Sequence, residues 1–111
     1  MAWPKKHTRR IRINNREWLW HISGGGTWAE TPITVGIEEG RYVFHIDPYA
    51  HDLDITPSMI RHAIEWALAE GWSPEEGPIR SMAYSDETHS FYWLPSGARY
   101  AREVSDDGQH S

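Results

Sequence analysis

Cysteine is absent from this 111-residue chain. That one absence excludes a disulfide framework, a thiolate zinc site and a cysteine nucleophile together. It also fits a reducing compartment, so a cytoplasmic location is expected. Long apolar runs are missing as well. No stretch approaches the roughly 18 apolar residues of a membrane span, and the basic segment Met1–Arg12 is not followed by the apolar region of a secretory signal. Phenylalanine is scarce, with two residues, and the aromatic volume comes instead from seven tryptophans and five tyrosines. With apolar residues at 39% of the chain, these supply enough burial for a core without a metal or disulfide staple. The length fits one domain over residues 1–111. Residues 1–8 and 105–111 are expected as loose ends.

The formal net charge of −5 is unevenly distributed. Lys5, Lys6, Arg9, Arg10, Arg12 and Arg16 crowd the first segment, while acid gathers at Glu75–Glu76, Asp86–Glu87 and Glu103–Asp107. A basic arm on an acidic body can touch phosphates, or pair with its own body or a partner subunit, and a solvated or self-pairing arm is the favoured reading. Neither an RNP-like nor a helix-turn-helix pattern accompanies the arm, so nucleic acid is not favoured as a partner. Aromatic residues at expected loop or edge positions (Trp28, Tyr49, Tyr84, Tyr92 and Trp93) can stack bases, but rings so placed more often cap a core.

Alternation of apolar and polar residues predicts strands. The first lies within Arg9–Ser23: Ile11 and Ile13 alternate with arginines, Asn14–Asn15 is a point of interruption, and Trp18, Trp20 and Ile22 alternate with Leu19 and His21. Gly24-Gly25-Gly26 ends it. Pro32–Glu38 and Arg41–Asp47, joined by Glu38-Glu39-Gly40, read as a hairpin. Further strands are expected at Ile79–Tyr84 and His89–Leu94 around an Asp86-Glu87 turn, with Ala98–Val104 either a short strand or a helical turn.

The helix signal is of another kind. Thr56 suits an N-cap, Pro57 the first helical position and Gly71 the stop. Ile60, Ala63, Ile64, Ala67 and Leu68 recur at helical spacing, opposite Ser58, Arg61, His62, Glu65 and Ala69. The expected fold is therefore α+β: an antiparallel meander of about five strands, β-β-β-α-β-β, with this one amphipathic helix packed on one face.

If Trp18, Trp20, Ile33, Val35, Tyr42 and Phe44 face the helix, then Leu19, His21, Thr34, Gly36, Val43 and His45 line the far side. That set is half apolar, which suits a partner surface or a shallow ligand cleft. Leu19, His21, Thr34, Val43 and His45 are the candidate binding surface, with homodimer packing through it as the preferred use; the opposite assignment of faces stays open. A second constellation, His45, Asp47, His51 and Asp54, offers the imidazole and carboxylate groups of a metal or acid–base site. Its spacing matches no zincin, facial-triad or EF-hand pattern, and a polar strand-to-helix loop in which Asp52 or Asp54 assists capping is the favoured reading. Gly24–Gly26 is followed by Thr27 and Trp28 rather than the Lys-Ser or Lys-Thr of a phosphate loop. No G-x-S-x-G elbow is present.

The segment Ile55-Thr56-Pro57-Ser58-Met59-Ile60-Arg61, running through Ala67-Leu68 to Gly71-Trp72-Ser73-Pro74, resembles one found in short bacterial proteins of integron cassettes and genomic islands. The resemblance spans the helix region alone and implies a bacterial accessory domain without implying an activity. Taken together, these readings point to a non-catalytic interaction domain with no cofactor, self-associating as a dimer or meeting a protein partner. The alternative is a small metal-dependent or acid–base enzyme, or a small-molecule binder, using His45, Asp47, His51 and Asp54.

Overall fold

The computed structural model of the protein describes Trp3 and residues 8–22, 33–47, 56–85 and 87–98. In these, six strands form one sheet in sequence order: β1 (Thr8–Ile13), β2 (Arg16–Ile22), β3 (Ile33–Gly36), β4 (Phe44–Ile46), β5 (Arg80–Ser85) and β6 (Ser90–Trp93). One helix, α1 (Pro57–Ala69), joins β4 to β5.

The expected first strand is two strands. Asn14 and Asn15 take φ of 53° and 64°, the left-handed pair of a type I′ hairpin turn, and Ile13 pairs with Arg16 across it. A two-residue turn sets odd residues of β1 opposite even residues of β2. Ile11 and Ile13 therefore share a face with Trp18, Trp20 and Ile22, and the change of parity at the asparagines is the sign of the turn. The order is thus β-β-β-β-α-β-β in place of β-β-β-α-β-β.

The meander is also broken once. β4 and β5 run parallel, with Phe44, His45 and Ile46 opposite Arg80, Ser81 and Met82, while every other neighbouring pair is antiparallel. The cause is the helix: returning the chain to the start of the sheet leaves β5 pointing the same way as β4.

The ends of α1 are fixed locally. Thr56 Oγ1 accepts from the Met59 amide at 3.2 Å, and Pro57 occupies the first turn. At the other end Gly71 N–H donates to Leu68 O and Trp72 N–H to Ala67 O, each at 3.0 Å. Gly71 sits at φ 92°, so this is a Schellman stop with the glycine at its left-handed position. The stop turns Trp72 back into the core, where its Nε1 donates to Pro78 O at 2.7 Å.

Met59, Ile60, Ala63, Ile64 and Ala67 of α1 are buried against Trp18, Trp20, Ile33, Val35, Phe44, Ile46 and Met82. Rings complete this layer, with Phe44 meeting Trp72 edge-on at 5.1 Å and Trp66 packing on Trp93 at 5.0 Å between centroids. Tyr84 and Trp93 belong here, as core-capping rings rather than free stacking surfaces. Among the described residues no helix is long and apolar enough to cross a membrane.

Candidate functional site

The alternation that buries one side of the sheet fixes what stands on the other. Pairing register aligns Thr8 with His21, His21 with Thr34, Thr34 with His45, and His45 with Ser81. A row of hydrogen-bonding side chains therefore crosses β1 to β5 on the far face. Thr8 Oγ1 lies 3.2 Å from His21 Nδ1, and Thr34 Oγ1 lies 3.2 Å from His45 Nδ1. A threonine hydroxyl can donate or accept, so it holds the adjacent imidazole in either tautomer. His21 and His45 share the row, but Thr34 stands between them, so they are not adjacent.

Beside this row runs a second one, Arg10, Leu19 and Gly36 in register, with Val43 next to Gly36. Here the far face is closed by the chain's own beginning. A side chain at Gly36 would meet Trp3 Cζ2 at 3.2 Å and Val43 Cγ1 at 3.0 Å, so the indole lies directly over that glycine. Trp3 Nε1 donates to Ile37 O at 3.3 Å. Leu19 and Val43 are 2% and 4% exposed. Of the five residues of the expected binding surface, His21, Thr34 and His45 remain partly open and the two apolar ones are covered. Trp3 was not legible as a site residue, because no periodicity in residues 1–7 ties it to the sheet.

The polar row ends in a cleft. His45 and Ser81 line a space of about 490 Å³ together with Pro78, Ile79, Leu94 and the turn that follows it. Leu94 N–H donates to Ser81 O at 2.8 Å, and Ala98 N–H closes a turn onto Pro95 O at 3.0 Å, so the wall of the cleft is tied to its floor. Ile79, 58% exposed, stands at this end of the molecule. The lining mixes apolar side chains with an imidazole, hydroxyls and the charged residue Arg80.

Asp47 lies just beyond β4 on the same face as His45, and its N–H donates to Met82 O at 2.9 Å. The side chain is buried. Tyr92 faces the same side, opposite Ala83. Partial burial pushes the Tyr92 hydroxyl above its ordinary pKa, and the nearby Asp47 charge adds to the shift. His51 and Asp54, the other two members of the expected metal constellation, lie outside the described residues, as do Trp28 and Tyr49. Among the described residues no three His, Asp or Glu side chains group as metal ligands. On α1, His62 and Glu65 are exposed on the side away from the sheet.

Two arginines of the basic arm pair with carboxylates of the same chain. Arg10 pairs with Glu17 and reaches Glu38 at 3.9 Å, and Arg16 pairs with Glu75. Arg9 lies over the Trp20 ring at 5.6 Å, a position that desolvates part of its guanidinium. Lys5 and Lys6 lie outside the described residues.

Comparison with known proteins returns no matching family model, no matching curated protein and no matching solved structure.

Proposed function

We propose that this protein is a non-catalytic binding domain that holds a small organic molecule in the cleft formed by His45, Ser81 and residues 94–98. One observation carries the reading. A continuous row of hydrogen-bonding side chains leads across the sheet into a space of about 490 Å³, within the range of ligand sites, while the helix plugs the opposite face. The Thr34 hydroxyl beside His45 Nδ1 helps to fix the orientation of that ring at the mouth of the cleft. Apolar walls at Ile79 and Leu94 would shelter the body of the molecule, and the imidazole and hydroxyls would fix its polar end. Face-to-face dimerisation is the weaker use of this surface, because Leu19 and Val43 already lie buried within one chain.

A panel of small carboxylates, amides and heteroaromatic fragments, followed by amide chemical shifts and thermal unfolding, tests the proposal. A fragment present at about 100 times its dissociation constant is expected to stabilise the fold by about 2.7 kcal/mol. Its shifts should map to His45, Ser81 and residues 94–98, and His45→Ala should abolish the response while His62→Ala preserves it. A panel without any hit, or hits that map to α1, defeats the proposal.

A further inference from the structure

The two ends of the sheet are built differently. Strand β1 carries Arg9, Arg10 and Arg12 among its six residues, whereas β6 reads Ser90-Phe91-Tyr92-Trp93 and carries no charge. Charged side chains on an edge strand prevent it from pairing with another chain, and an uncharged, aromatic edge lacks that protection. Among the described residues β6 ends the sheet, with β5 as its neighbour. Among the described residues two large apolar side chains stand exposed: Tyr92, at 39%, on β6 itself, and Ile79, just before its neighbour β5.

We infer that β6 pairs with β6 of a second copy of this chain, antiparallel about a two-fold axis, joining two sheets edge to edge. The backbone fixes the register. Leu94 N–H donates to Ser81 O, so even-numbered residues of β6 turn their peptide groups toward β5, and Phe91 and Trp93 turn theirs outward. Setting Phe91 opposite the partner's Trp93, and the reverse, satisfies both residues on both chains with four hydrogen bonds. Centring the axis on Phe91 or on Trp93 instead brings in His89, at φ 54°, or Pro95, which has no N–H to give. The favoured register places Tyr92 opposite Tyr92 of the partner subunit in a non-hydrogen-bonded pair, where side chains approach most closely.

A second copy is a better occupant than β1 of another molecule. The β6–β6 contact is self-complementary and closes as a dimer, whereas β6 on β1 is head-to-tail, does not close and brings arginines into the joint. Four-residue strands bury a small area, so association in the micromolar range is expected. The β6 edge adjoins the cleft, which Ile79 and residues 94–98 line, but the pairing does not require a ligand there, and different variants test the two readings.

Because the chain has no cysteine, Tyr92→Cys reports the register directly. Two such residues across the axis would lie about 4.5 Å apart at Cα, within disulfide reach. Mild oxidation of Tyr92→Cys should therefore give a covalent dimer. Ser90→Cys should not, since Ser90 lies four residues out of register with its own copy, about 13 Å along the strand. Sedimentation of the unmodified chain from micromolar to near-millimolar concentration should show the mass doubling, and Tyr92→Lys, which opposes two like charges on an exposed site, should remain monomeric. Three results would overturn the inference: a monomer at every concentration, equal cross-linking of the two cysteine variants, or a dimer indifferent to Tyr92→Lys. Slow amide exchange at Phe91 and Trp93 in a monomer would point instead to the edge being covered by residues after Ala98, and would equally overturn it.

Discussion

Gly36 is where the first residues of the chain meet the far face. Its missing side chain lets the Trp3 indole close to within 3.2 Å of the position a Cβ would take, with Val43 Cγ1 at 3.0 Å. A strand glycine ordinarily weakens its strand, and here it makes room for a ring. Substituting Gly36→Ala should therefore push the indole outward and cost stability, by about 1–3 kcal/mol if the ring cannot settle again. Trp3→Ala, which removes the indole from Gly36 and its hydrogen bond to Ile37 O, is expected to cost a similar amount. The two effects should not add: with the indole gone the new methyl meets less, and a coupling of at least about 0.5 kcal/mol is expected between them. Urea midpoints for the two single variants and the double variant measure it, and strict additivity would mean that Trp3 does not rest on Gly36. Neighbouring residues repeat the theme of short-range matching. Thr8 and Thr34 each hold an imidazole, and only the register of four strands brings the four together.

At the scale of elements, signals were legible where they are local. The cap, the proline and the terminal glycine of α1 all act within a turn of the residues they affect, so the helix could be read with its stop. The division of residues between faces was also legible, since period two carries it within each strand; His21, Thr34 and His45 stand on the side expected of them. The Asn14–Asn15 turn escaped because paired asparagines also occur inside irregular strands, and the change of parity between Ile13 and Trp18 had to be recognised as pairing rather than as a pause. Parallel pairing of β4 with β5 is a non-local property that no window of residues near either strand encodes. The hairpin reading has its own consequence. Both asparagines hold left-handed backbone, which a β-branched residue adopts at a cost of about 1–2 kcal/mol. Asn15→Val should destabilise by that amount, whereas Asn15→Gly, which suits the type I′ turn better, should be neutral or stabilising. Thermal unfolding of the pair checks this, and a tolerated valine would rule out the turn geometry.

For the molecule as a whole, charge placement bears on which partners it can meet. A cluster of six basic residues near the start suggests a phosphate-binding arm, yet two of them, Arg10 and Arg16, pair with carboxylates of the same chain. Pairing of Arg10 with Glu17 and Glu38 brings one guanidinium against carboxylates from β2 and the turn after β3, and Arg16 joins Glu75 from the loop after α1. Each pair is exposed and contributes little to stability, but together they offset the charge of two of the arm's arginines. With a net charge of −5 over the full chain, the expectation is that single-stranded DNA and heparin are not retained at about 100 mM salt, where the screening length is about 10 Å. Reversing Glu17→Lys together with Glu75→Lys should uncover the arm and produce binding that weakens steeply with salt. If the unaltered chain already binds with a salt dependence worth several phosphate contacts, the glutamates are not neutralising the arm, and Lys5 and Lys6 become the residues to remove next.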